Sequence, residues 1–444
     1  YTMLDHEIIV APATALGGAI AVIRMSGEGA IECCDAVFCG RKHLADVATH
    51  TVHYGRIVDG ERVIDDVLVA VFRAPHSYTG EDSVEISIHG SRYIASEVIS
   101  LLCRHGARPA TAGEFSARAF AEGKIDLSQA EAVADLIAAD SRAAHAMAST
   151  QMRGGYSETL RNLRGKLLET ASLLELELDF SEEDVEFADR TRLRTMLTAT
   201  DRIVCDLMRS FGTGNAIREG IRVVIAGEPN VGKSTLLNRL IEDDRAMVSD
   251  IAGTTRDTIE EESVIDGIRF RFIDTAGLRE TADSLEQMGI DRTRRAIGSA
   301  KIVIRMVEPS TVAVEPMALA DGCREIIVVN KTDLSPEHNI KGAIYISARE
   351  NRGIDALRRA LCSVVDTEGL YRGDVVVSNA RHYDALSRTH TAILQALNGL
   401  DNGISSELVA EELRTATDAL GEITGEITSD DILHTVFSRF CIGK

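Results

Sequence analysis

The spacing of apolar residues changes three times along the chain, and each change predicts a different kind of structure. Over the first ~120 residues, short apolar runs alternate with turns and short helices; AIAVIRM, VIDDVLVAVF and SVEISIHG read as strands. From Gly123 to about Ala216 the apolar positions fall at helical spacing without proline, as in LSQAEAVADLIAADSRAAHAMAST and LRGKLLETASLLELELDF. At Ile221 strands begin to alternate with helices in the α/β manner, and this ends near Glu368. From about Asn379 the spacing is helical again, in YDALSRTHTAILQALNGL and SELVAEELRTATDALGEIT. Helical blocks on both sides of an α/β module predict one helical domain with an insertion. The segments are 1–119 (N-terminal α/β), 120–216 (helical, first part), 217–370 (inserted domain) and 371–444 (helical, second part). No internal repeat or low-complexity segment is present.

Composition narrows the class. The 444 residues are 45% hydrophobic and 26% charged, ordinary for a globular protein, and with 4% aromatics and no tryptophan the cores must be aliphatic. No apolar run reaches about 18 residues, so no membrane span is expected. The start, YTMLDHEIIVAPA, lacks the charged and apolar regions of a secretory signal, and its first residue is Tyr, so the natural start is expected to be trimmed or replaced. Eight scattered cysteines include no Cys-x-x-Cys pair and no zinc-site spacing, which predicts reduced thiols and a cytoplasmic location. The formal net charge of −21 argues against coating nucleic acid by bulk electrostatics, leaving a local basic patch or a basic partner.

The chemistry concentrates in the inserted segment. IRVVIAGEPNVGKST holds a strand, then Gly227-x-x-x-x-Gly232-Lys233-Ser234, then a helix start. In that context the motif is a phosphate loop, whose backbone N–H groups and helix N-terminus surround anionic phosphates. Asn230, Val231, Gly232, Lys233, Ser234 and Thr235 form the cradle; Lys233 reaches the β- and γ-phosphates and Ser234 ligates Mg²⁺. Further elements follow in order. DIAGTTRD offers Thr254 and Thr255 for a loop closing on Mg²⁺, and Asp266-Gly267 reads as a hairpin turn. GIRFRFIDTAG ends in Asp274, for the Mg²⁺ shell, and Gly277, whose N–H can sense the γ-phosphate. IIVVNKTD presents Asn330, Lys331 and Asp333; the Asp333 carboxylate can accept from two adjacent guanine N–H groups, a pair adenine lacks. IYISARE gives Ser347 and Ala348 for the base. The fold class is therefore multidomain, α/β with all-α, the insertion being a Ras-like phosphate-loop G domain.

Two positions depart from the commonest GTPase pattern. Leu278 stands where many GTPases carry a water-orienting glutamine, so another group must act. Glu286, twelve residues beyond Asp274, could orient water directly or through a second water; the alternative is a solvated surface carboxylate. Asn230 could ligate a monovalent cation whose charge acts as an arginine finger does; the alternative is a turn-stabilising asparagine. Arg256 and Arg279 rank lower for the finger role, since nothing fixes their aim.

The chain ends RFCIGK. Gly443 and Lys444 are a poor fit to a prenylation box, and no partner residue at sensible spacing makes Cys441 a metal ligand. A buried structural cysteine and a reactive thiol remain.

Over nearly its whole length the sequence resembles the MnmE (TrmE) family of tRNA-modification GTPases. The resemblance rests on IRMSG, SYTGEDSVEI with IHG, GEFSARAFAEGKIDLSQAEAVADLI, DFSEEDVEF, GEPNVGKSTLLN, DIAGTTRD, DTAGLRE and FCIGK. It implies a homodimer formed through N-terminal domains that also bind folate. It implies G domains that associate with K⁺ and GTP, which stimulates hydrolysis. With an FAD-dependent partner, MnmG (GidA), members modify carbon 5 of the wobble uridine of tRNA, taking a one-carbon unit from 5-formyl- or methylene-tetrahydrofolate. Carried onto this sequence, Asn230, Ser249, Ile251 and Thr254 match the K⁺ site, with Ser249 and Thr254 also near the nucleotide. Ser234 and Thr255 match the Mg²⁺ ligands, and Glu286 the catalytic carboxylate beside Lys233 and Asn230. Arg24, Glu85, Lys124 and Lys444 match folate contacts, with Cys441 close to the one-carbon chemistry. No membrane partner is implied.

The early turn reads PATALGGA, keeping Gly17 and Gly18 but lacking the family's arginine, and SIHGS has one glycine fewer than the usual GHGG. Two other readings stay open at this level. One is a regulatory switch GTPase for RNA or ribosome assembly, although no basic RNA-binding appendage is visible. The other makes the N-terminal segment a binding module without a reactive role for folate, since it holds no visible acid/base or nucleophile–base pair.

Overall fold

The computed structural model describes residues 7–179, 190–242, 260–274, 295–311, 314–320, 322–335, 340–365, 368–438, 440 and 442–443. It divides into two units: residues 1–134, 152–165 and 417–444 form the first, and residues 135–151 and 166–416 the second. Among the described residues no helix is long and apolar enough to cross a membrane.

The first unit is built on a seven-stranded sheet. Its strands are β1 (Ile9–Pro12), β2 (Ile20–Ser26), β3 (Phe38–Gly40), β4 (Thr51–Asp59), β5 (Arg62–Phe72), β6 (Ser83–His89) and β7 (Arg108–Pro109), in the order β3-β4-β5-β6-β2-β1-β7. All pairings are antiparallel except β1 with β7. The three strands expected from the sequence are β2, β5 and β6. Strict alternation decides their faces: Val84, Ile86 and Ile88 of β6 are buried, while Glu85 points to the opposite side. The apolar side packs on the helix Arg92–Arg104, which buries Ala95, Val98, Leu101 and Leu102 at helical spacing. Each such buried Val, Ile or Leu contributes roughly 1.5–3 kcal/mol.

The C-terminal tail belongs to this same unit. The helix Asp430–Phe437 starts at Ser429, whose Oγ accepts from the Ile432 N–H, and Val436, Phe437 and Phe440 pack with Ala117, Leu127 and Ala130. Ile442 bridges Ala112, and a side chain at Gly443 would strike the Pro12 carbonyl at 2.1 Å, at a φ of 97°. Only glycine lets the tail lie this close.

The second unit carries the inserted sheet: β8 (Ile221–Gly227), β9 (Glu260–Ile265), β10 (Ile268–Asp274), β11 (Ile302–Val307), β12 (Arg324–Val329) and β13 (Ile344–Tyr345). The order is β13-β12-β11-β8-β10-β9, parallel throughout except for the hairpin β9–β10. The expected turn is there: Asp266 and Gly267 both have positive φ, 51° and 79°, as a two-residue hairpin loop requires. Buried on both faces, β8 reads as a near-continuous apolar run, VVIA.

The helix Arg190–Glu219 runs straight into β8 after Gly220, and the helix Ala380–Asp401 follows the inserted segment. The two pack side by side and are stitched at their G-domain ends. There the Val377 N–H donates to Ser210 Oγ at 3.0 Å, and a Cβ on Gly214 would sit 2.2 Å from the Val377 carbonyl. Entry and exit of the insertion are thus held together, as an inserted domain needs.

Candidate functional site

The candidate nucleotide site lies at the carboxyl ends of the parallel strands, where such sheets place ligands. β8 ends at Gly227, and the helix Lys233–Glu242 begins six residues later. Between them Asn230 is exposed with a left-handed φ of 65°. Gly232, at φ 100°, has no room for a side chain: its Cβ would lie 2.4 Å from Asn330 Nδ2. Lys233 is buried, its Nζ donating to the carbonyls of Gly227 at 3.0 Å and Glu228 at 2.8 Å. The amine therefore spans the loop it belongs to. Val231 is buried beneath the loop, while Ser234 and Thr235 are exposed on the first helical turn. This cradle of small residues before a helix N-terminus fits a triphosphate, and Ser234 fits a hard Mg²⁺.

Asn330 is the mechanical centre. It is almost fully buried; its Nδ2 donates to the Val231 carbonyl at 2.8 Å and its Oδ1 accepts from the Ala348 N–H at 3.0 Å. One side chain thus joins the phosphate loop to the strand end expected at the base. Asp333 accepts from Ser347 Oγ at 2.7 Å, and this bond holds its carboxyl below its ordinary value. The carboxylate is therefore ionised and pre-aimed, as an acceptor for two N–H donors should be. Lys331, at a left-handed φ of 64°, pairs with Glu308 at 2.5 Å. Asp274 closes β10 opposite Ile225 through its backbone. Ser249, Ile251, Thr254, Thr255, Arg256, Gly277, Leu278, Arg279 and Glu286 lie outside the described residues.

A second constellation occupies the first unit. Arg24 of β2 and Glu85 of β6 face each other in register, and the Arg24 Nε and Nη2 both donate to Glu85 Oε1, at 2.9 and 2.8 Å. The guanidinium sits 5.5 Å from the Tyr78 ring centre and 5.8 Å from that of Phe115, and its Nη1 donates to the Gly443 carbonyl at 3.4 Å. A carboxylate, a cation, an aromatic wall and the Gly443 carbonyl therefore meet. Arg24 uses Oε1 of Glu85, and among the described residues no donor reaches Oε2, an arrangement that fits an N–H edge such as a pterin's. Lys124 instead donates to the Pro75 carbonyl at 2.9 Å. Cys441 and Lys444 lie outside the described residues, on either side of Ile442 and Gly443.

Sequence reasoning missed what holds this second site. Arg118 is 1% exposed and pairs with Glu81 at 3.0 Å and Glu114 at 3.2 Å. Burial pushes the Glu114 carboxyl up, but the Arg108 guanidinium and the Thr111 N–H overcome this and hold it at about 2. Glu81 also accepts from Ser26 Oγ at 2.8 Å, on the strand that carries Arg24. The signal was the i, i+4 Glu114–Arg118 pair among the small and aromatic residues of EFSARAF. The missing glycine of SIHGS has a counterpart here too. Gly90 accepts from the Gly17 N–H at 2.8 Å, and a Cβ on Gly90 would strike the Gly18 carbonyl at 2.1 Å. The retained glycines are the ones this close approach uses.

Comparison with known proteins extends these local findings along the chain. A family profile described as the MnmE helical domain matches residues 127–441, and one described as the GTP-binding protein TrmE N-terminus matches residues 8–124. The tRNA modification GTPase MnmE of Cytophaga hutchinsonii is 48% identical over 457 residues, covering 100% of this chain and 99% of that protein. Its counterpart from Christiangramia forsetii is 48% identical over 471 residues, covering 99% of each. That of Bacteroides thetaiotaomicron is 47% identical over 465 residues, covering 99% of this chain and 100% of that protein. Near-half identity sustained from end to end leaves no segment of the chain outside the match, and the chain belongs to the MnmE family of tRNA modification GTPases.

Proposed function

We propose that this GTPase binds and hydrolyses GTP in the six-stranded unit and acts with an FAD-dependent partner of the MnmG (GidA) kind on tRNA. The reaction adds a one-carbon unit, drawn from 5-formyl- or methylene-tetrahydrofolate, at carbon 5 of the wobble uridine. The observation that carries the reading is the double tie of Asn330, because it couples a phosphate cradle to a pre-aimed guanine acceptor. Guanine is chosen by Asp333, with Lys331, Ser347 and Ala348 around the base. Phosphates are held by residues 230–235, and Asn230, Lys233 and Glu286 are the groups we assign to the hydrolytic step.

Ser234 and Thr255, with Asp274 in the outer shell, would hold Mg²⁺, which when bound neutralises the phosphate oxygens. Asn230, Ser249, Ile251 and Thr254 would hold K⁺, whose charge supplies what an arginine finger supplies elsewhere. Arg24, Glu85, Lys124 and Lys444 are assigned to the folate, with Cys441 near its one-carbon end; Arg24 and Glu85 are already paired and ready to orient it. The functional division we assign is 1–119 for folate binding and dimerisation, 120–216 and 371–444 for the helical domain, and 217–370 for the G domain.

The test compares GTP turnover in KCl and NaCl at matched ionic strength, alongside nucleoside analysis of wobble uridine in a deletion strain carrying this chain. The reading expects K⁺-stimulated turnover and restored modification. Equal rates in both salts would remove the cation role of Asn230. Unmodified uridine with intact turnover would favour a switch GTPase without a role in base modification.

A further inference from the structure

Away from both sites, three side chains of metal-ligating type converge where the helices Arg190–Glu219 and Ala380–Asp401 pack. Asp201 and Cys205 are one turn apart and so project from the same side of the first helix; His390 comes from the second. His390 Nδ1 lies 2.6 Å from Asp201 Oδ1 and 3.5 Å from Cys205 Sγ, and Cys205 Sγ lies 3.8 Å from Asp201 Oδ2. One ligand atom from each residue falls within 4.8 Å of the others. All three residues are half-buried, with 29% of the His390 side chain and 17% of Asp201 open to solvent.

A Cys–His–Asp group invites a nucleophilic reading, which the geometry refuses. In such an arrangement the thiol and the carboxylate bond opposite ring nitrogens, so that the ring can take a proton from one side while the other orients it. Here both face the same atom, Nδ1. Burial, with the Asp201 charge beside it, also raises the Cys205 thiol above its ordinary range, the reverse of an activated thiolate. A sulfur, a nitrogen and a carboxylate oxygen facing one another across a few ångströms are instead disposed as a chelate.

We propose that Asp201, Cys205 and His390 form a binding site for a borderline-soft divalent cation of the Zn²⁺ class, with the remaining position open to water. Bond lengths of about 2.3 Å to sulfur and 2.0–2.1 Å to nitrogen or oxygen give tetrahedral ligand spacings of about 3.3–3.6 Å. The two sulfur spacings, 3.5 and 3.8 Å, are already close. The sulfur faces Oδ2 of Asp201 and the ring nitrogen Oδ1; with Oδ1 as the ligand atom, the hydrogen-bonded N–O pair at 2.6 Å opens by about 0.7 Å. On binding, the thiol proton leaves to solvent, and the Nδ1 proton that bonds Asp201 gives way to the ion, the neutral imidazole carrying its single proton on Nε2 instead. Thiolate and carboxylate together carry two negative charges against the dication. Soft sulfur and imidazole select against Mg²⁺, so the site would not compete for the ion of the nucleotide pocket. The helices it joins are those on either side of the inserted domain in sequence, already stitched at Ser210 and Val377. A bound ion would clamp that stem.

The test uses the full-length protein, stripped of metal and titrated with Co²⁺ as a spectroscopic stand-in. The site predicts one Co²⁺ per chain with a thiolate-to-metal charge-transfer band, displaced by Zn²⁺ and not by Mg²⁺. Cys205→Ser should abolish the band, and His390→Ala should weaken binding at least ~100-fold. A second reading needs no variant: Zn²⁺ should protect Cys205 from alkylation, mapped by peptide mass spectrometry, while the exposed Cys39 still reacts. No charge-transfer band, a band that survives Cys205→Ser, or alkylation of Cys205 unchanged by Zn²⁺ would each overturn the proposal.

Discussion

The two candidate sites reach a similar end, a fixed set of convergent polar groups, by different means. In the second unit the phosphate cradle is a single stretch between β8 and its helix, shaped by glycine and backbone, with Asn330 pinning it from below. In the first unit the facing groups come from β2, β6 and the far end of the chain; Arg24 and Gly443 are 419 residues apart. There, buried ion pairs around Arg118 take the place of local backbone geometry. A cradle made of backbone tolerates little change in a few residues. A constellation made of distant side chains depends on the whole unit staying folded. The two sites should therefore fail differently.

The largest expected effect is on the first unit. Arg118→Met takes the cation from Glu81 and one of two from Glu114, which keeps Arg108, and should destabilise that unit by about 3 kcal/mol. Chemical denaturation should show it, while nucleotide affinity measured below the transition stays near wild type. Loss of GTP binding in parallel would break the contrast between the sites.

Next is Asp333→Asn, which replaces an acceptor for two N–H groups by an amide that offers one acceptor and donors. GTP affinity should fall at least ~100-fold, with xanthosine triphosphate gaining in its place, read by fluorescent-nucleotide competition. Thermal stability should move little, since Asp333 is only half-buried and the asparagine can still accept from Ser347 Oγ.

A paired glycine test sharpens the contrast. Gly232→Ala pushes a methyl into Asn330 Nδ2, and Gly90→Ala pushes one into the Gly18 carbonyl. Each should cost about 1–3 kcal/mol locally. The first should remove GTP turnover and spare folate binding, and the second the reverse, as judged by turnover and by isothermal titration with a tetrahydrofolate.

The last effect is hidden at neutral pH and is seen only in acid. The Glu114 carboxyl, ordinarily at 4.5, is lowered to about 2 in the folded chain, so its contribution is complete above about 4.5. That contribution is lost as pH falls from there through about 2. The first unit should lose stability in that window, and Glu114→Gln should flatten this part of the profile, followed by urea denaturation at stepped pH.

Legibility in the sequence followed chain distance. Gly227, Gly232, Lys233 and Ser234 lie within eight residues, and their spacing alone implied a strand, a loop and a helix in the right order. Asp266-Gly267 likewise announced its hairpin, because a two-residue loop with positive φ at both positions tolerates few residue types. The role of Asn330 was half visible: its place near the base could be read, but its bond to the Val231 carbonyl, 99 residues earlier, could not. The Asp201–Cys205–His390 cluster gave no signal. Its i, i+4 pair looks like any helix face, and His390 is 185 residues beyond Cys205.

What the sequence determined by itself is the architecture and the nucleotide chemistry. Apolar periodicity marks buried faces, and a phosphate loop needs particular residues at consecutive positions, so both leave a local record. What only the tertiary structure decided is which distant groups share a neighbourhood. Arg24 meets Glu85 through strand register, and Arg24 meets Gly443 because glycine lets the tail lie against Pro12. Arg118 is buried between two carboxylates for a similar reason. Those encounters are set by packing across the folded unit, and the cations and N–H donors that packing brings, acting against the cost of burial, are what keep a carboxylate such as Glu114 ionised and fixed in place.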